Sequence, residues 1–365
     1  MYNLPLQLKN LLPLLAIGFL LSGCASGPDL KSFEPPVYPP APSDPRFVYE
    51  RSLIGTIDVE PVTAKQRFKA MATGLPVGEN VMVKPYDVAV HKGRVYVTDT
   101  IARSIVLFDI PGQKFVRFGV SGPGALRKPI GITVTDDGLV YVVDNTASRV
   151  IVYDAKGKYL AYFGSKDELK RPTDVAITAN GLYAYVVDTG GVDNNHHHLV
   201  KYDLRTGKML KKIGKRGSRE GEFNFPIMVD IDSKGRIYVL DGGNFRVQRF
   251  TPDEQFDFSF GKVGNRFGQF SRPKGLAIDK DDNVYVMDAS FSNFQIFNDK
   301  GELLLFVGER SFSNEPGKFS LPAGITVDED GRVYAVDQVF AKVDVFRPYH
   351  LKKTDGYAGA KPVEE

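Results

Sequence analysis

Three aspartates, a run of histidines and a scatter of arginines are the residues in this 365-residue chain whose chemistry could act on a ligand. Asp87, Asp174 and Asp230 each sit in a short apolar segment of strand character, as in Asp87-Val88-Ala89-Val90. Carboxylates converging from several such segments could hold a divalent cation and activate water. The competing reading is that each bonds locally to backbone or to arginine. His196, His197 and His198 are consecutive, beside Asp193. Imidazoles bind zinc or copper, but neighbouring side chains on an extended segment point to opposite sides, so a solvated polar loop competes with a metal site. Arg216, Arg219, Arg266 and Arg272 stand with Phe267, Phe270 and Phe312 nearby. Arginine with aromatic residues is a pairing enriched at protein interfaces. Further cations, among them Lys128, Arg171 and Lys274, are interleaved with Glu168, Glu220, Glu222 and Glu309. A mixed solvated surface therefore competes with a site for an acidic partner or an anionic glycan. No nucleophile elbow, phosphate loop, haem-attachment motif or dinucleotide fingerprint is present.

Composition narrows the classes further. Hydrophobic residues at 42% and charged residues at 25% are globular values. A net charge of +3 makes no electrostatic case for nucleic acid. A lone cysteine excludes an internal disulfide and a cysteine-rich metal site. Its position carries the information: Leu11 to Leu21 is apolar, Lys9 precedes it, and Leu21-Ser22-Gly23-Cys24 follows. The apolar run is too short to cross a bilayer comfortably. The tetrapeptide resembles the bacterial lipobox. That resemblance implies a signal peptide over 1–23, lipidation of Cys24 and attachment to a membrane through its acyl chains. Ala25 in place of an aspartate implies sorting to the outer membrane, with the periplasmic side favoured over the cell surface. The segment 24–45 holds seven prolines after the cysteine and reads as an extended linker.

The elements that must position the candidates come from a repeat. Pro85, Pro129, Pro172, Pro226, Pro273 and Pro322 each open a unit, at spacings of 43 to 54 residues. An apolar strand follows, then a Gly/Asp/Asn turn, then a second strand ending at Asp99, Asp144, Asp188, Asp241, Asp288 or Asp337. A third strand ends in Phe or Tyr, and a fourth usually ends on glycine. Four short strands per unit is propeller-blade spacing. Six units supply the first three strands, but only five are followed by a fourth. The missing strand is Phe47 to Gly55, so the N-terminal strand should complete the last blade and remove two open sheet edges. First-strand positions facing a converging axis must be small, as Ala89, Thr133, Ala176, Ala277 and Thr326 are, with Asp230 the exception. The expected fold is all-β: a six-bladed β-propeller over 46–348, a helix-like stretch Thr63 to Ala72 before blade one, and a polar tail over 349–365.

Gly268-Gln269-Phe270-Ser271-Arg272-Pro273 and Gly317-Lys318-Phe319-Ser320-Leu321-Pro322, each leading to a Tyr-Val-x-Asp-like strand, resemble NHL repeats. The chain as a whole is similar to bacterial six-bladed propeller lipoproteins with a proline-rich stalk. The resemblance implies a binding platform, although some relatives are enzymes. Gluconolactonase-like propellers use axial carboxylates and a metal for hydrolysis. The NHL-like peptide-amidating lyase uses inner-strand histidines, and none follows an opening proline here.

Strand alternation places the short turns on one face and the blade junctions, with the second-to-third connections, on the other. The expected function is a non-catalytic scaffold binding a protein or envelope polymer on that long-loop face. The residues expected to carry it are Arg216, Arg219, Arg266, Arg272, His197, Phe267 and Phe270. The alternative is a metal-dependent lactonase or hydrolase at Asp87, Asp174 and Asp230. No cofactor is expected, and no nucleic-acid partner.

Overall fold

A computed structural model describes residues 34–192 and 194–359. The opening proline and the strand-end aspartate together explain how each blade starts. Proline has no N–H to give, so the strand's first ladder bond is absent and the two residues before it must find acceptors elsewhere. The aspartate supplies them. Asp99 accepts from Val83 and Lys84, Asp144 from Arg127 and Lys128, and Asp188 from Lys170 and Arg171. Asp288 and Asp337 repeat the clasp on Ser271–Arg272 and Ser320–Leu321, and Asp241 takes Asn224. All six aspartates are fully buried. They are structural, as their recurrence in every blade indicates.

Blade one is Pro85–His91, Arg94–Asp99, Ser104–Asp109 and Lys114–Phe118, a four-stranded antiparallel meander. Blades two to five repeat it from Pro129–Val134, Pro172–Ile177, Pro226–Ile231 and Pro273–Ile278. Blade six has Pro322–Val327, Val333–Asp337 and Lys342–Pro348, and its fourth strand is Phe47–Leu53. The ring is thus closed by the N-terminal strand, with Tyr49 opposite Phe346 and Leu53 opposite Val343. Each small first-strand residue faces a buried tyrosine of the second strand, Ala89 opposite Tyr96 and Ala277 opposite Tyr285; Asp230 faces Tyr238.

The core is six separate apolar wedges, one between each pair of neighbouring blades. The third-strand aromatic anchors each wedge and meets a side chain from the preceding blade or junction. Phe118 lies 5.1 Å from Tyr153, Phe163 5.0 Å from Tyr202, and Phe270 5.7 Å from Phe297, ring centre to centre. The glycines that end the fourth strands make room for this. Gly214 and Gly261 have positive φ, and a side chain on either would run into Phe223 or Phe270.

Two features extend the domain beyond 46–348. Within the expected linker 24–45, Val37–Tyr38 forms a fifth strand on blade six. Tyr38 packs 5.7 Å from Phe346, and its hydroxyl donates to Gly317 O at 3.3 Å. In the expected tail, Tyr357 N–H donates to Asp330 and the Arg51 guanidinium to Ala358 O, with Ala358 buried. The spacer and loose-tail expectations are therefore corrected for residues 37–38 and 349–359. Short segments with one or two large side chains give little composition signal, yet they can still fill an edge groove. The helix runs over Ala64–Thr73, capped by Thr63, whose hydroxyl accepts from Gln66 N–H. Residues 1–33, including Cys24, lie outside the described residues, as do Asp193 and 360–365.

Candidate functional site

The three axial aspartates are staples between blades. Asp87 Oδ2 accepts from Ile132 N–H of blade two at 3.0 Å. Asp174 Oδ2 accepts from Val229 N–H of blade four at 2.9 Å, and Asp230 Oδ2 from Ile278 N–H of blade five at 2.8 Å. Asp87 and Asp174 also press back against Gly324 and Gly131, where any side chain would collide with them. Together they line an axial channel of about 170 Å³. Asp87 and Asp174 occupy one level, two residues after their prolines. Asp230 lies two residues further along its strand, a rise of about 7 Å. Burial pushes Asp87 and Asp230 up to about 7 and raises Asp174 well above the usual carboxylate range, against the lowering effect of the backbone bonds. Among the described residues, no three His, Cys, Asp or Glu side chains come together closely enough to hold a metal ion. One oxygen of each aspartate is committed to a backbone N–H of a neighbouring blade, and the other oxygen of Asp230 accepts from Ile231 N–H.

The blade-three insertion is ordered by residues expected to meet a partner. The connection after the second strand has four residues in five blades and nine, 189–197, in blade three. His197 is fully buried. Its Nδ1 accepts from Phe225 N–H at 2.9 Å, its ring lies 4.8 Å from that of Phe225, and its Nε2 faces Gly191 O. Burial lowers its pKa, and an Nδ1 that accepts an N–H carries no proton itself. His198 turns the other way, with Nδ1 at 2.9 Å from Gly214 O. The consecutive imidazoles do diverge. Arg216 braces the insertion by donating to Val192 O at 2.9 Å and Asn194 O at 3.1 Å. Phe270 is fully buried in the wedge between blades four and five. The partner-contact roles expected of His197 and Phe270 are therefore corrected: neither presents a side-chain surface. Their burial follows from the repeat. Phe223 and Phe319 occupy the position of Phe270 and are equally buried, and what recurs in every junction belongs to the scaffold.

Arg219, Arg266, Arg272 and Phe267 remain exposed. Arg219 and Arg266 hold matching places in two successive junctions, their N–H groups donating to Glu222 and Gln269. Phe267 is 64% exposed and stacks on Phe306, with ring centres 4.3 Å apart and planes at 15°. Arg272 lies apart from these rim residues, immediately before Pro273 at the mouth of the channel.

The ladder of clasped prolines, buried aromatics and positive-φ glycines identifies the units. Residues 126–153 and 223–250 match the NHL repeat family. Two of the propeller's units thus carry NHL repeats. The human E3 ubiquitin-protein ligase TRIM32 is 48% identical over 42 residues, 12% of this chain and 6% of that protein. The human NHL repeat-containing protein 3 is 38% identical over 69 residues, 19% of each chain. The match thus spans less than a fifth of either relative, or about that. Solved structures similar to this propeller include a gluconolactonase from Xanthomonas campestris, with a TM-score of 0.57, 13% identity and coverage of 82% of this chain and 98% of that one. An auxiliary nutrient binding protein from Bacteroides thetaiotaomicron has a TM-score of 0.56 and 13% identity, covering 74% of this chain and 70% of that one. At such identities the likeness is one of fold.

Proposed function

We propose that this protein is a non-catalytic scaffold that binds a protein or an envelope polymer on its long-loop face, held to the membrane by a lipidated Cys24. The observation that carries the reading is the division of labour among its polar residues. Strand-end and axial aspartates are consumed by backbone bonds, whereas Arg219, Arg266, Arg272 and Phe267 stand exposed on junction loops, the arginine side chains donating no hydrogen bond among the described residues. Arginine beside an exposed, stacked aromatic is the anchor chemistry of protein interfaces. A fold shared with a nutrient binding protein is consistent with a binding role. The second reading, a lactonase at the axis, has in its favour the channel with its three carboxylates and a fold shared with a gluconolactonase.

The test is a pull-down from envelope extracts with the full chain as bait. Charge reversal at Arg219, Arg266 and Arg272 to Glu should abolish capture, whereas Asp87→Asn, Asp174→Asn and Asp230→Asn together should preserve it. Capture that survives the charge reversal, with lactone hydrolysis lost in the Asn variant, would replace the scaffold by the axial hydrolase. Circular dichroism of both variants separates loss of contact from loss of fold.

A further inference from the structure

The mouth of the axial channel on the long-loop face collects cations whose side chains form no ion pair among the described residues. The residue before the opening proline is held in the same way in five of the six blades, blade four excepted. Its carbonyl accepts a bond from the residue after the strand-end aspartate, as Lys84 O does from Thr100, Lys128 O from Asn145, Arg171 O from Thr189 and Arg272 O from Ala289. That shared geometry sets these side chains around one opening. Four of the six are Lys or Arg, all exposed, and Lys274 adds a fifth cation one residue beyond its proline. The side chains of Lys84, Lys128, Arg171, Arg272 and Lys274 have no carboxylate or carbonyl partner among the described residues.

Arg171 belongs to blade three and Arg272 to blade five, with blade four between them. The channel mouth is the place common to both. Each is close enough to act electrostatically on Tyr86 of blade one and on Lys274. Burial, then Arg272 and Arg171, depress the Lys274 ammonium, which is how a cation behaves when packed among like charges without a counterion. Tyr86, next to Asp87 and half-buried, places a phenol hydroxyl with no hydrogen-bond partner in the same opening. Asp87 and Asp174 lie beneath; burial raises both carboxyls, Asp87 to about 7, which lessens the negative charge they set against the cations above. At the other end of the channel the turns after the first strands carry Asp136, Asp232, Asp279 and Asp328 instead.

We propose that this mouth is a binding site for a phosphoryl group, held by Arg171, Arg272, Lys274 and the Tyr86 hydroxyl. Two planar guanidinium forks, an ammonium and a phenol approaching from different blades suit a compact tetrahedral dianion better than a single carboxylate. A soluble phosphomonoester and the terminal phosphate of an envelope lipid or glycan share that chemistry. The proposal rests on the scaffold reading only for its choice of face, and it needs no macromolecular partner, so either can fail alone.

The experiment is calorimetric titration of the purified full chain with inorganic phosphate, glucose 6-phosphate and, at equal ionic strength, acetate. One phosphate should bind per chain, more tightly than acetate. Arg272→Gln and Lys274→Met should each weaken it about ten-fold or more, the size expected for loss of a charge-assisted hydrogen bond. Arg219→Gln, on the same face but at the rim, should leave it unchanged. Sedimentation with phosphatidylcholine vesicles containing phosphatidic acid then distinguishes the source; binding to the sugar phosphate or to these vesicles, lost in Arg272→Gln, supports the proposal and names the carrier. Equal affinity for acetate, no phosphate binding at millimolar concentration, or equal loss in Arg219→Gln would overturn it. Unchanged thermal unfolding of each variant without ligand shows that the fold survives the substitution.

Discussion

At the scale of single residues, the same side chain type does opposite jobs according to whether it recurs. The strand-end aspartates appear in all six blades and clasp the chain ahead of each proline. Asp87, Asp174 and Asp230 occur in three blades only, yet they too serve the scaffold by joining the first strands of adjacent blades around the axis. Their environment gives a testable pH dependence. A carboxyl whose folded pKa is raised from about 4 toward 7 favours the fold fully below its unfolded pKa, and that contribution is lost as pH rises toward 7. Stability should therefore decline between pH 4 and pH 7. Asp230→Asn keeps an oxygen to accept from Ile278 N–H but cannot ionise. Its stability relative to the wild type should rise across this window by on the order of a few kcal/mol. Urea unfolding at a series of pH values checks this, and parallel curves for the two proteins would refute it.

The scale of elements decides which parts of the chain the ring needs. Phe47, Tyr49 and Leu53 enter the apolar wedges on both sides of blade six. Glu50 pairs with the fully buried Arg332 at 2.8 Å, and Ser52 donates to Asp344 at 2.5 Å. Deleting 46–56 would bare the edge of Lys342–Pro348 and remove the closer carboxylate of the buried Arg332, leaving only Asp330 at 3.6 Å, and breaking such a buried pair costs about 3–5 kcal/mol. That truncation is expected not to fold as a monomer. Deletion of 25–34 should leave the melting temperature unchanged. Tyr38→Ala should lower stability by about 2–3 kcal/mol through lost aromatic packing on Phe346. Thermal denaturation with light scattering distinguishes the three outcomes. An unaltered melt for Tyr38→Ala would mean that the fifth strand of blade six adds nothing.

The whole molecule is a closed ring with unlike ends, and the proposed anchor bears on how they are presented. With residues 25–36 between Cys24 and the first described strand, an acylated cysteine would tether the propeller to the bilayer. Cys24→Ser is expected to move the protein from the membrane to the soluble fraction, or to leave an unprocessed precursor. Fractionation with mass spectrometry of the mature N-terminus provides the check. Membrane association that persists in the Ser variant, with Cys24 unmodified in the wild type, would remove the anchor from the proposal.

What the sequence determined by itself is what repetition encodes. Six prolines, six strand-end aspartates and a missing fourth strand were enough for the fold, its closure and the sorting of loops to one face, because each blade must satisfy the same backbone and packing demands. Tertiary structure alone decided what each unrepeated residue does. His197 and Phe270 read as surface chemistry but are buried, since a loop position shows neither the direction of its side chain nor the pocket a neighbouring blade offers. Phe270 carried a usable signal, its recurrence as Phe223 and Phe319; His197 in a unique insertion carried none. Arg171, Arg272, Lys274 and Tyr86 are scattered over nearly two hundred residues of sequence. Only closure of the ring brings blades one, three and five to one opening, where charges distant along the chain meet without a counterion.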